Sequence, residues 1–193
     1  MKQLVVEKNN PEPILWDTPI PKPGPGEILI KNHYSVVSTG TEIATIESSN
    51  KSVADTLQDS SNIQKGLELF EKEGVRAVWN AVFPKNISPI QLGYSSSGKV
   101  IEVGRDVKNF HVGDMVVSNG NHAEYVVVNQ KLCSRIPEET SPKDAAYTVL
   151  GSIALHGLRL SETSLGSRIV VVGLGIVGLS LIHISEPTRP RLI

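Results

Sequence analysis

The sequence predicts a mixed α+β fold, a small β-barrel with inserted helices followed by the truncated start of a parallel α/β unit. Three observations predict it. Short β-branched runs separated by turn-forming residues recur on either side of the chain's middle, the texture of a small barrel. Between them, Ser52–Val82 changes to a helical period. Near the end, RIVVVGLGIVG (Arg168–Gly178) carries a strand pattern covered on both faces straight into a Gly-x-Gly-x-x-Gly turn.

Taken in order, Leu4–Glu7 and Ile28–Tyr34 alternate or cluster as strands. The proline- and glycine-rich connector between them, Pro19–Glu27, cannot be helical. In the insertion, Val53 and Leu57, then Ile63, Leu67 and Phe70, and after Gly74 Val75, Val78, Trp79 and Val82 fall at helical spacing, which predicts a helical pair. Lys99–Val103, Met115–Ser118 and Ala123–Val128 continue the strands, with Gly104–Asp114 as a turn-rich link. A helix then starts with Ser141 as N-cap, Pro142 in the first turn and Asp144 at N3. The expected division is a barrel over residues 1–140 with its insertion at 51–82, then a connecting helix and first strand of a nucleotide-binding unit over 141–178.

In that unit, Ile169–Val172 is β-branched without a break, and Gly173, Gly175 and Gly178 each have a steric task. The first permits a tight turn, the second lets backbone N–H groups approach a pyrophosphate, and the third lets the following helix pack closely. Gly173, Leu174, Gly175, Ile176, Val177 and Gly178 are therefore the candidate cofactor-binding residues. An amphipathic helix should follow Gly178, but Pro187 and Pro190 would break it within about three turns, so that helix is expected to be missing. The tail Leu179–Arg189, LSLIHISEPTR, looks like the in-frame translation of a transposase-type sequencing adapter, with the last residues as its index. Residues 179–193 are accordingly set apart from the fold as an adapter-derived tail. Resequencing the source locus tests this: a reading frame continuing as a normal helix after Gly178 supports it, and a stop after Ile193 refutes it.

Composition narrows the function. The chain has 193 residues, 39% of them hydrophobic, enough for one buried domain and part of another. It carries 19 basic against 20 acidic residues, and 17 against 19 without Arg189, Arg191 and Glu186 of the tail. That balance argues against nucleic acid or an anionic membrane as partner. The single cysteine, Cys133, excludes an internal disulfide and any multi-cysteine zinc site, and fits a reducing, cytoplasmic location. The N-terminal apolar run is too short for a signal peptide, and Ile169–Ile184 falls short of the roughly 18 residues a membrane span needs.

The order of these pieces, with PGPGEILIK (23–31), LGYSSSGKVIEVG (92–104), VGDMVV (112–117) and HAEYVVV (122–128), resembles the medium-chain dehydrogenase/reductase superfamily, a GroES-like barrel followed by a Rossmann domain. The likeness spans Met1–Gly178. VSTGTE (37–42), the insertion, LGYSSSG and TVLGSIALHG (148–157) are most similar to the bi-domain oxidoreductases, in which such a unit is fused to a sugar-dehydrogenase-type domain. The resemblance implies a homo-oligomeric full-length protein that takes NAD or NADP and a small-molecule substrate.

It also implies where a catalytic zinc would sit. The ligand positions of zinc-dependent members fall on Thr39, on Tyr94 with Ser95, and on Ser152, and hydroxyls are poor zinc ligands beside thiolate and imidazole. The four-cysteine structural lobe is absent, since Val116–Tyr125 passes directly between strands. His33, His111, His122 and His156 are scattered and lack ligand spacing. No zinc and no other metal is expected.

Without a metal, placed donors must stabilise the developing alkoxide and a side chain must move the proton. The resemblance puts Thr41 at the relay Ser/Thr position, Tyr94 in place of a ligand histidine, and His156 near the nicotinamide ring, so these three are the candidate catalytic residues. The alternatives for them are a turn hydroxyl, a packed aromatic and a solvent-facing helix histidine. Glu42 matches the family's acidic residue, with loop ordering the preferred role, and Cys133 reads as a core thiol. The expected activity is metal-independent, NAD(P)-linked hydride transfer on a sugar or sugar derivative, with the present chain inactive and unable to bind the dinucleotide by itself. The alternatives are a zinc-less quinone or enoyl reductase and a non-catalytic GroES-like interaction module.

Overall fold

The computed structural model describes residues 1–7, 10–50, 89–164 and 166–185. The elements are β1 Lys2–Glu7, β2 Asn10–Asp17, β3 Glu27–Ser35, α1 Thr39–Asn50, β4 Ile90–Gln91, β5 Ser96–Val103, β6 Met115–Ser118, β7 Tyr125–Asn129 and β8 Cys133–Arg135. Three helices follow: α2 Pro142–Ala145, α3 Thr148–Leu160 and α4 Ile176–Ser185.

Among the described residues all strand pairs are antiparallel, in a five-stranded sheet ordered β7-β3-β5-β6-β8 and a three-stranded one ordered β2-β1-β4. The bridge from Gln3 to Ala123 and the bond from the Leu4 N–H to the His122 carbonyl (2.8 Å) stitch the sheets together. Ile28, Ile30, Val100, Val116, Val126 and Val128 meet with Phe110 as the core. Bulges in β3 between Leu29 and Ile30 and between Asn32 and Tyr34 bend the strand.

The expected barrel strands are present, with β1 beginning at Lys2 rather than Leu4, β5 at Ser96 rather than Lys99 and β7 at Tyr125 rather than Ala123. Residues 10–17 form a strand that the sequence pattern did not signal, because Pro11 and Pro13 interrupt it; among the described strands β2 pairs with β1 alone, and an edge strand tolerates prolines. The helix at Ser141 begins as expected: the Asp144 N–H donates to the Ser141 hydroxyl at 3.1 Å. It is interrupted at Ala146–Tyr147 before α3 resumes. The proposed helical pair at 51–82 and the end of the tail, residues 186–193, lie outside the described residues.

Two expectations are corrected near the C-terminus. Ile169–Val172 is not a strand: it pairs with no other described segment, and Val170 and Val172 are 87% and 94% exposed. A lone parallel segment with no neighbour to accept its N–H groups forms no ladder. Nor is the helix after the glycine turn missing. α4 runs from Ile176 through Gly178 to Ser185, the Leu179 N–H closing its first turn on the Gly175 carbonyl at 2.9 Å, and both prolines lie beyond its end. No helix among the described residues is long and apolar enough to cross a membrane.

Candidate active site

The site begins where β3 hands over to α1. Ser38, buried, precedes the helix, and the Glu42 carboxylate reaches back to accept the Ser38 N–H at 2.8 Å while the Glu42 N–H donates to the Ser38 carbonyl at 2.9 Å. A carboxylate there also suits the positive end of the helix. This ordering role is the one expected for Glu42. One residue earlier, Thr41 points its hydroxyl outward, 3.5 Å from the Ser38 Oγ.

Tyr94 arrives from the turn after β4. Its ring is half-buried against Val36, Ala146 and Leu150, and its Oη lies 3.4 Å from the Thr41 Oγ1. Two residues 53 positions apart in the chain thus present hydroxyls side by side at an exposed edge. Tyr94 is both a packed aromatic and a placed hydroxyl.

Beneath the pair lies a histidine whose role the sequence did not reveal. His122 is buried; its Nδ1 is 2.8 Å from the Ser35 Oγ and its Nε2 is 3.2 Å from both Glu42 oxygens. Because the carboxylate accepts, Nε2 carries a proton. The His122 backbone is fixed as well, its N–H donating to the Leu92 carbonyl at 2.8 Å. Gly93 has φ +87°, and a Cβ there would stand 2.7 Å from the His122 Cγ and Nδ1, so the glycine is what lets this turn lie on the ring.

The nucleotide-type turn sits beside this arrangement. Gly173 has φ +95°, a Cβ on Gly178 would run into the Gly173 carbonyl oxygen, and Gly175 faces open space. Two of the expected steric tasks are visible, the tight turn at Gly173 and the close packing at Gly178. Ile176, the first residue of α4, packs on Val36, Ala146 and Leu150, the same cluster that holds Tyr94. Leu174 is 69% exposed, and Val177 is 37% exposed. His156, by contrast, is exposed on α3, and no hydrogen bond among the described residues joins it to Thr41 or Tyr94.

At the positions where the resemblance would put zinc ligands stand hydroxyl side chains. The Ser95 hydroxyl donates to the Ala146 carbonyl at 2.6 Å, the Ser152 hydroxyl to Val149 at 2.7 Å, and Thr39 stands exposed at the start of α1. Among the described residues, no three His, Cys, Asp or Glu side chains gather to hold a metal. Away from the site, burial pushes the Cys133 thiol up to about 12, which suits an inert core thiol. The His111 backbone N–H and the Arg135 guanidinium hold Asp114 below its usual range, where it pins the Gly104–Asp114 link.

Residues 73–138 match the alcohol dehydrogenase GroES-like domain family. The chain is thus similar to the medium-chain dehydrogenase/reductase superfamily. It is 30% identical over 123 residues to the (R,R)-butanediol dehydrogenase of Bacillus subtilis, covering 50% of this chain and 36% of that protein. With the D-guloside 3-dehydrogenase of Escherichia coli it is 26% identical over 163 residues, 83% of this chain and 44% of that one. The structure of the quinone oxidoreductase from Coxiella burnetii superposes with a TM-score of 0.69 at 25% identity, covering 97% of this chain and 53% of that one. The chain thus spans less than half the length of these two curated relatives.

Proposed function

We propose that this chain is the substrate-side part of a metal-independent, NAD(P)-linked oxidoreductase that moves a hydride at a carbinol or carbonyl carbon of a sugar or sugar derivative. The observation that carries it is the facing of the Thr41 and Tyr94 hydroxyls, 3.4 Å apart, beside a glycine turn that Ile176 ties to the same apolar cluster. The nicotinamide would supply the hydride acceptor, its pyrophosphate held by the Gly173–Gly178 turn, where Gly175 leaves room for it. What the chain does is bind the substrate hydroxyl between two hydroxyls. One of Tyr94 Oη and Thr41 Oγ1 donates to the carbinol oxygen, while the other accepts the carbinol proton and gives its own to water at the exposed edge as the hydride leaves. His156 stays outside this step; a role for it requires the nicotinamide to lie along α3.

Support for a polyol-type substrate comes from the relatives named for butanediol and a guloside, and for a zinc-free site from the hydroxyls at the ligand positions. The whole protein is proposed to be cytoplasmic and homo-oligomeric, fused to a sugar-dehydrogenase-type domain. A second reading, a quinone or enoyl reductase, is favoured by the superposition on the Coxiella burnetii enzyme. A substrate screen of the protein encoded by the uninterrupted reading frame decides between them. Oxidation of polyols or glycosides with NAD or NADP by zinc-free protein is the expected result. Turnover of quinones or enoyl thioesters alone, or one equivalent of zinc in active protein, overturns the proposal.

A further inference from the structure

We propose that His122 is the positioning residue that sets the geometry of the Thr41–Tyr94 pair. The inference rests on the reading of those hydroxyls as the reacting groups. His122 is the one side chain described that touches the support of both. Through Nε2 it holds Glu42, which holds the Ser38 N–H and so the first turn of α1 on which Thr41 stands. Its backbone nitrogen and ring atoms Cγ and Nδ1 stand so close to Gly93 that even a methyl group is excluded, and Gly93 is the residue before Tyr94.

The ring cannot drift. Ser35 holds Nδ1 at 2.8 Å, and the backbone on either side is bonded to Leu92 and Leu4. Both His122 and Glu42 are nearly excluded from water, at 8% and 9% side-chain exposure, so loss of either partner leaves the other buried without its bond. The bonds do not form a proton path to the hydroxyls, because the link from Glu42 to Ser38 runs through a backbone N–H. The role is therefore placement, not proton transfer.

The test uses the whole 193-residue chain labelled with 13C at the tyrosine ring carbon bearing oxygen, whose resonance reports the hydroxyl's hydrogen bond. Tyr94→Phe assigns the signal and Thr41→Val gives its position without a partner. His122→Gln keeps a donor within reach of Glu42 and is expected to leave the Tyr94 signal in place. His122→Asn, too short to reach Glu42, is expected to move the signal more than half-way to its position in Thr41→Val. Should His122→Asn not fold, Ser35→Ala, which frees Nδ1 at an exposed position, is expected to move it in the same direction by less. A signal unmoved in folded His122→Asn or Ser35→Ala, or moved equally by His122→Asn and His122→Gln, overturns the proposal. Because this readout involves no turnover, it can fail while the hydride-transfer reading survives, and the reverse.

Discussion

Replacing Gly93 with alanine should damage the chain by more than backbone strain alone. At φ +87° a Cβ costs about 1–2 kcal/mol before any contact is counted. The new methyl would also stand 2.7 Å from the His122 N, Cγ and Nδ1, and the backbone nitrogen cannot retreat without losing its bond to Leu92. The ring must move instead, parting from Ser35 or Glu42, and a buried polar group left unpaired costs about 1–3 kcal/mol. Gly93→Ala is therefore expected to lose about 2–5 kcal/mol, a fall in Tm of roughly 4–20 °C for a chain of this size. Gly113→Ala is the internal control, because φ is +104° there yet a Cβ would meet nothing within 4 Å. Urea denaturation followed by circular dichroism should show Gly93→Ala losing more than Gly113→Ala by the cost of the histidine contact. Equal losses would refute the account of the ring as a fixed support.

Other outcomes follow from the same packing. Leu150→Ala, at a fully buried position shared by Val36, Ala146, Tyr94 and Ile176, should cost about 2–5 kcal/mol in a thermal melt, and a loss under about 1 kcal/mol would contradict the cluster's role. Cys133 should resist thiol reagents near neutral pH until the chain unfolds. With its folded pKa of about 12 above the reference 9.0, its contribution to stability is present below 9.0 and is lost as pH rises toward 12; prompt modification of native protein would contradict this. Calorimetry of the 193-residue chain should show no dinucleotide binding, since Ile169–Val172 has no described neighbour to build a sheet around the turn, and tight binding would contradict it.

The barrel was legible where local pattern and burial agree. Ile28–Leu29–Ile30 and Val116–Val117 read as strands because they are wholly buried there, and Ser141-Pro142 with Asp144 read as a helix start because the cap is local. β2 escaped notice because its prolines follow from an edge position that no local window reveals. α1 escaped because Thr39, Gly40, Thr41, Ile43 and Thr45 are poor helix formers, and its start rests on the Ser38–Glu42 exchange. Of the candidate residues, the structure joins Thr41 to Tyr94, while His156 is exposed on α3 with no hydrogen bond to either among the described residues. His122 could not be found by spacing, because its partners lie 80 and 87 residues away. The available signal was Gly93 directly before a candidate tyrosine, a hint of a close approach by something bulky. At the C-terminus the extended pattern of Ile169–Val172 was readable, but a strand is defined by its neighbours, and none is described.

On the proposed reading, two hydroxyls held by a buried histidine and carboxylate stand in for a metal. The most direct measurement is the turnover of Thr41→Val/Tyr94→Phe in the protein encoded by the uninterrupted reading frame, on whichever polyol or glycoside the wild type oxidises. The account predicts kcat reduced on the order of 10²–10³-fold or more with the fold intact. A double variant that turns over at the wild-type rate would contradict it.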